Sequence, residues 1–135
     1  MDNSATDAPL LTPFEQLGGR TALGRVVDRF YDLMDSEPAY ADLRAMHAAD
    51  LAPMKQALAG FLTGWAGGPR DWFDANPGKC MMSMHSGFTI TRETAGQWVA
   101  AMDRAFADCG LADHPVALLM KERFRMMAGG MAGDL

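Results

Sequence analysis

Lysine is almost missing from this 135-residue chain: there are three, at positions 55, 79 and 121, and the net charge is −5. A nucleic-acid partner requires phosphates to be neutralised by clustered Lys and Arg, so that class of function is excluded. Long apolar runs are missing too. None approaches the ~20 residues that a bilayer-spanning helix needs, and no membrane role is expected. Residues 1–11 lack the basic region and apolar stretch of a secretory signal, and read as a short disordered lead-in to a single domain over 12–135. The two cysteines, Cys80 and Cys109, have no CxxC or metal-type spacing, so both are expected as free thiols in a cytoplasmic protein. No GxxxxGK[ST] phosphate loop, no Gly-x-Ser-x-Gly elbow and no paired-carboxylate pattern occurs, which removes the common nucleotide and hydrolase signatures. Alternating β-branched runs are also absent, so no strand is expected.

What remains is apolar and helical. Hydrophobic residues make up 49% of the chain and charged ones 21%, leaving apolar side chains to spare for an internal cavity or an interface. Thr12-Pro13-Phe14-Glu15 combines an N-cap, a first-turn proline and a capping-box glutamate, and Gly18-Gly19 ends that helix early. From Thr21, Leu23, Val26, Val27, Phe30, Tyr31 and Met34 share one helical face until Ser36-Glu37-Pro38. A short helical turn carrying Tyr40 and Leu43 follows. Asp50 is the expected cap of the next helix, whose stripe is Leu51, Met54, Leu58, Phe61, Leu62 and Trp65, and Gly67-Gly68-Pro69 stops it. Thr91 caps a helix with Ala95, Trp98, Val99, Met102, Phe106 and Cys109 on one face, ended by Gly110. Asp113 is expected to open the last helix, with Val116, Leu119, Met120, Phe124 and Met127 inward and Gly129-Gly130 closing it.

Residues 70–90 keep no sustained period and read as loop, with a short helix around Met81 to His85. Connections in small domains average ~4–6 residues, so an irregular stretch of this length is a candidate functional segment. Of the three histidines, His114 reads as a surface residue beside Pro115. His85 sits among Met81, Met82, Met84, Phe88 and Ile90, and burying it unpartnered would cost roughly 1–3 kcal/mol. A backbone carbonyl satisfies it, or it ligates a metal. Zinc would need three or four ligands and no such cluster is visible, whereas haem needs one ligand and a large apolar slot. There is no CxxCH, so any haem would be held non-covalently, as haem b.

The order of these blocks is informative. Phe30-Tyr31, Met46-His47 and Phe61-Leu62 precede Gly67-Gly68-Pro69; His85 comes sixteen residues after that proline, Phe88-x-Ile90 follows, and Trp98 lies thirteen residues beyond the histidine. From Pro13 to Met127 this resembles the group II truncated haemoglobins (2-on-2 globins). The resemblance implies an all-α fold of two antiparallel helix pairs sandwiching a haem, with His85 as the proximal iron ligand. Tyr31, His47 and Trp98 match the distal polar positions, and Met54 falls where classical globins keep a distal histidine. Leu58, Phe61, Leu62, Trp72, Met81, Met84, Phe88 and Ile90 would complete the walls of the pocket with Met54.

Such a site would bind oxygen, nitric oxide or carbon monoxide. Donors aimed at the outer atom of the ligand contribute ~1.5–3 kcal/mol each, so two good ones slow oxygen escape ~100-fold or more. That favours chemistry on the gas or sensing over oxygen transport. Turnover of nitric oxide or peroxide would need an external reductase, because the chain has no flavin or nicotinamide motif. The chain departs from the family in having Met84 where an arginine commonly precedes the proximal histidine, and Asn76-Pro77-Gly78 in place of Gly-His-Pro. Propionate contacts would then fall to Lys55, Lys79 or Arg92. The alternative reading is a helical interaction or regulatory module, monomer or homodimer like the first, whose core is filled by its own side chains and whose His85 is a satisfied core residue.

Overall fold

The computed structural model describes residues 11–77 and 90–131, and every regular element among them is helical. His85 lies outside the described residues, as do Lys79, Cys80, Met81, Met84 and Phe88. Helix α1 (Pro13–Leu17) opens with the expected capping box: Glu15 N–H donates to Thr12 Oγ1 at 3.1 Å and Thr12 N–H donates to the Glu15 carboxylate at 2.9 Å. Gly18 ends it at φ +113°, a conformation that costs glycine nothing. Helix α2 (Gly19–Ser36) buries Leu23, Val26, Val27, Phe30, Tyr31 and Met34 as the periodicity requires, and Leu33 besides. Its end is set by Pro38, which holds Glu37 in an extended conformation. A 3₁₀ turn (Pro38–Tyr40) and helix α3 (Ala41–Ala45) bury Tyr40 and Leu43.

Helix α4 (Ala52–Trp65) starts one residue later than its acidic cap suggests. Leu51 occupies the cap position, while the Asp50 carboxylate reaches forward to accept the Ala52 N–H at 3.0 Å. Helix α5 (Asp71–Ala75) falls inside the stretch expected as loop. Five residues are too few to display a helical period, and its formation depends on packing against α4. Helix α6 (Arg92–Asp108) has its Thr91 cap, closed reciprocally by Thr94.

Helix α7 (Pro115–Met131) departs from expectation at both ends. Its opening donor is satisfied by His114 and not Asp113: Val116 N–H donates to His114 Nδ1 at 3.1 Å. His114 Nε2–H in turn donates to the Gln16 carbonyl at 3.2 Å, so this histidine ties α7 to α1 and is no simple surface residue. At the other end α7 continues through Gly129-Gly130 to Met131. Leu119, expected inward, is exposed, and Ala117 takes the inner position.

The two helix pairs are α2 with α4 and α6 with α7, and α2 packs across α6 to join them. Ala101, Ala105 and Ala117 are fully buried, which lets the helix backbones approach closely. Phe124 of α7 packs on Trp65 at 5.4 Å, Trp98 at 5.3 Å and Phe106 at 6.2 Å between ring centres, and Trp98 also meets Phe30 at 5.7 Å. Two glycines of α4 decide where α5 lies. A Cβ on Gly60 would come within 2.6 Å of the Trp72 side chain, and one on Gly64 would overlap the Phe73 ring.

Gly60→Ala or Gly64→Ala therefore forces α5 off α4 and lowers unfolding free energy by roughly 1–3 kcal/mol, less any gain in helix propensity. Gly24→Ala in α2, whose Cβ would meet nothing within 4 Å, raises stability by up to about 1 kcal/mol in the same urea titrations. His114→Ala costs about 1 kcal/mol through loss of the cap and the tie to α1, read by the same method.

Candidate functional site

Between the two helix pairs lies a cavity of about 250 Å³. Helix α2 contributes Tyr31; α3 and the turn after it contribute Leu43, Met46, His47 and Ala48. Helix α4 contributes Met54, Ala57, Leu58 and Phe61, and Trp72 comes from α5. Ile90, with Thr94, Ala95 and Trp98 of α6 and Met127 and Ala128 of α7, makes up the rest of the wall among the described residues. Among the described residues the lining is mostly apolar; its residues with polar side-chain groups are Tyr31, Trp98, His47 and Thr94, the hydroxyl of the last engaged in its helix cap.

The fold thus brings together Tyr31, His47, Trp98, Met54, Leu58, Phe61, Trp72 and Ile90 from separate segments of the sequence. It does not bring Leu62, which is 1% exposed and packed in the core, outside the cavity wall. A one-residue step along α4 turns the side chain by about 100°, so Phe61 and Leu62 cannot both face the same cavity squarely. Neither Lys55 nor Arg92 lines it: Lys55 pairs with Asp28 of α2 at 3.8 Å, and Arg92 is exposed at the start of α6. Sequence reasoning misses Ala57 and Ala95 as cavity residues, although they lie three residues from Met54 and Trp98 and so share their helical faces. Leu43, Met46, Ala48, Thr94, Met127 and Ala128 carry no comparable signal, because they reach the cavity through the placement of α3, α6 and α7.

Tyr31 is 3% exposed, and burial pushes its phenol well above the ordinary tyrosine range, so the hydroxyl keeps its proton. Its ring packs edge-on against Phe30 at 4.9 Å and stands edge-on to His47 at 6.0 Å. Trp98 is wedged between Phe30 and Phe124. Among the described residues neither the Tyr31 hydroxyl nor the Trp98 N–H finds a hydrogen-bond acceptor. Tyr31 is buried and Trp98 half-buried, and two donors without a protein partner on one apolar cavity fit a ligand that accepts. His47 Nδ1 lies 2.9 Å from the Leu43 carbonyl oxygen. A carbonyl only accepts, so Nδ1 carries the hydrogen of that contact.

No three His, Cys, Asp or Glu side chains converge to hold a metal among the described residues. A flat apolar macrocycle carrying its own metal suits this wall better than a polar ion cage does. None of the described helices is long and apolar enough to cross a membrane.

The comparisons agree with that geometry. Residues 12–131 match the family model described as bacterial-like globin. The group 2 truncated hemoglobin YjbI of Bacillus subtilis is 30% identical over 99 residues, covering 73% of this chain and 72% of its own. The group II 2-on-2 hemoglobin from Agrobacterium tumefaciens superposes with a TM-score of 0.86 at 25% identity, over 92% of this chain and 95% of its own. A truncated oxygen-avid haemoglobin from Bacillus subtilis gives 0.79 at 26% identity, over 90% and 98%. The chain belongs to the bacterial-like globin family, in its group II truncated, 2-on-2 form.

Proposed function

We propose that this globin binds a diatomic gas, oxygen foremost and nitric oxide or carbon monoxide by the same chemistry, at a haem b held non-covalently through His85. When bound, the haem supplies an iron centre with one position open to the gas. The chain's own residues then do the rest. The single observation that carries the reading is that buried Tyr31 and half-buried Trp98 line one apolar cavity and their O–H and N–H have no acceptor among the described residues. Desolvation makes each worth more toward a partly negative ligand atom than the same group would be in water. Met54, Leu58 and Phe61 exclude water and offer no acceptor stronger than the weak thioether sulfur of Met54. A core filled by its own side chains would leave no cavity of this size.

Two strong donors favour holding the gas over releasing it, which suits sensing or redox turnover of nitric oxide or peroxide. Turnover would draw electrons from a separate reductase, and the free thiol of Cys109 fits a cytoplasmic setting.

Purified protein is expected to show a strong Soret band that sharpens in the ferrous carbon monoxide form. His85→Gly loses it, and added imidazole restores it. Colourless protein that refuses haemin overturns the proposal. Tyr31→Phe and Trp98→Phe should each speed oxygen dissociation about tenfold or more in stopped-flow displacement by carbon monoxide, the equivalent of ~1.5 kcal/mol per donor. Unchanged rates in both would mean that the donors act elsewhere.

A further inference from the structure

We propose that a small apolar gas docks in a second cavity on the outer side of Trp72, and that the Trp72 ring is the door between that cavity and the haem cavity. The destination of the gas rests on the haem reading above; the docking site does not.

The second cavity measures about 280 Å³ and lies where α2, α4 and α5 meet. Helix α4 borders both cavities: Ala57, Leu58 and Phe61 line the first, and Ala59, Gly60 and Thr63 line the second. Among the described residues Trp72 alone lines both. The second lining grades from exposed Gln56 and the exposed Arg20–Asp71 ion pair, at 3.3 Å, to Leu23 at 1% and Thr63 at 7% exposure. The cavity therefore runs inward from solvent, with its charged groups at the rim. Further in, Leu23, Ala59 and the indole offer the dispersion contact that a gas needs, and an apolar cavity of ~150 Å³ already holds xenon. Gly24 leaves room on the α2 side, where a Cβ would meet nothing within 4 Å.

Trp72 has the freedom that a door requires. It belongs to a five-residue helix with no fully buried residue, and such elements open locally at lower cost than core helices. Asn76 Nδ2–H donates to the Trp72 carbonyl at 2.8 Å, which steadies the backbone and leaves the side chain to turn. The indole N–H meets no acceptor among the described residues, so turning breaks no hydrogen bond to them. The ring is held by edge-on packing on Phe61 at 5.9 Å and Phe73 at 5.1 Å, and the bare backbone of Gly60 beneath it puts no Cβ in its way. The α3 wall of the haem cavity is fastened differently. There Gln97 Oε1 accepts the Leu43 N–H at 3.0 Å, and Arg44 donates to the carbonyls of Ala48 at 3.0 Å and Ala49 at 3.1 Å. Opening at α3 costs hydrogen bonds, whereas opening at Trp72 costs ring contacts alone.

The test uses the haem-loaded full chain in its ferrous carbon monoxide form, ¹³C-labelled at the Ala and Leu methyl groups. Xenon dissolved under pressure should shift the Ala59 and Leu23 methyl signals in a saturable way. Gly24→Phe, with Gly24→Leu as a smaller plug, fills the second cavity from α2 and should abolish those shifts. Carbon monoxide association after flash photolysis, and its dissociation by ligand exchange, should both slow about threefold or more in the plugged chain. A door sets the rate in and the rate out alike, so the equilibrium affinity stays unchanged. Trp72→Ala should speed association about threefold or more, and adding Gly24→Phe should remove that gain. Unshifted Ala59 and Leu23 methyls in the unmodified protein, unchanged rates in both plugged chains, or a Trp72→Ala gain that survives the plug overturns the proposal. Failure of the haem reading looks different: the unmodified protein has no Soret band, and xenon still shifts Ala59 and Leu23. A normal band with any overturning outcome removes the door and its docking site alone.

Discussion

Phe124 stands where the two helix pairs meet, and the cavity depends on it. Its ring stacks on Trp65 of α4 and meets Trp98 and Phe106 of α6, while Trp98 leans on Phe30 of α2. Each aromatic contact contributes ~0.5–1.5 kcal/mol beyond its buried area, but the geometric effect matters more. Rings of this size, wedged at fixed angles, brace the crossing of α2, α4, α6 and α7 so that the helices cannot collapse inward. A chain with apolar residues to spare would otherwise close the gap, since cores pack to near-crystalline density.

The same brace sets the chemistry. Trp98 belongs both to the aromatic cluster and to the cavity wall, so its indole N–H is presented by a ring with little freedom to turn. Tyr31 is held by Phe30 in the same manner. A donor left without a protein partner on an apolar wall costs stability, and a fold tolerates that cost where a ligand repays it. The site is thus rigid where it donates. At α3 the rigidity has another origin: short elements with little buried area are tied by side-chain hydrogen bonds from Gln97 and Arg44.

The surface ion pairs contribute little by comparison. Arg29–Asp108 and Arg104–Glu37 have good distances, 2.8 and 2.7 Å, but both are solvent-accessible and screened, so neither adds much to stability. The glycines of α4 do more for the architecture. By removing a Cβ at positions 60 and 64, they let Trp72 and Phe73 lie directly on the helix, which brings Trp72 to the cavity.

Local rules were enough for much of this. The cap at Thr12, the proline stop at Pro38, the cap at Thr91 and the inward stripes of α2, α4 and α6 depend on short-range backbone chemistry and period, both readable along the chain. So were the segments that supply Tyr31, Met54, Leu58, Phe61 and Trp98, because each lies on an inward helical face. The five-residue helix α5, the extension of α7 through two glycines, the exposure of Leu119 and the removal of Leu62 from the cavity wall were decided by tertiary packing. Those features depend on which neighbour covers which face. The Nδ1–H of His47 belongs with them, for a tautomer is chosen by the atom opposite it, and that carbonyl is brought there only by the folded turn.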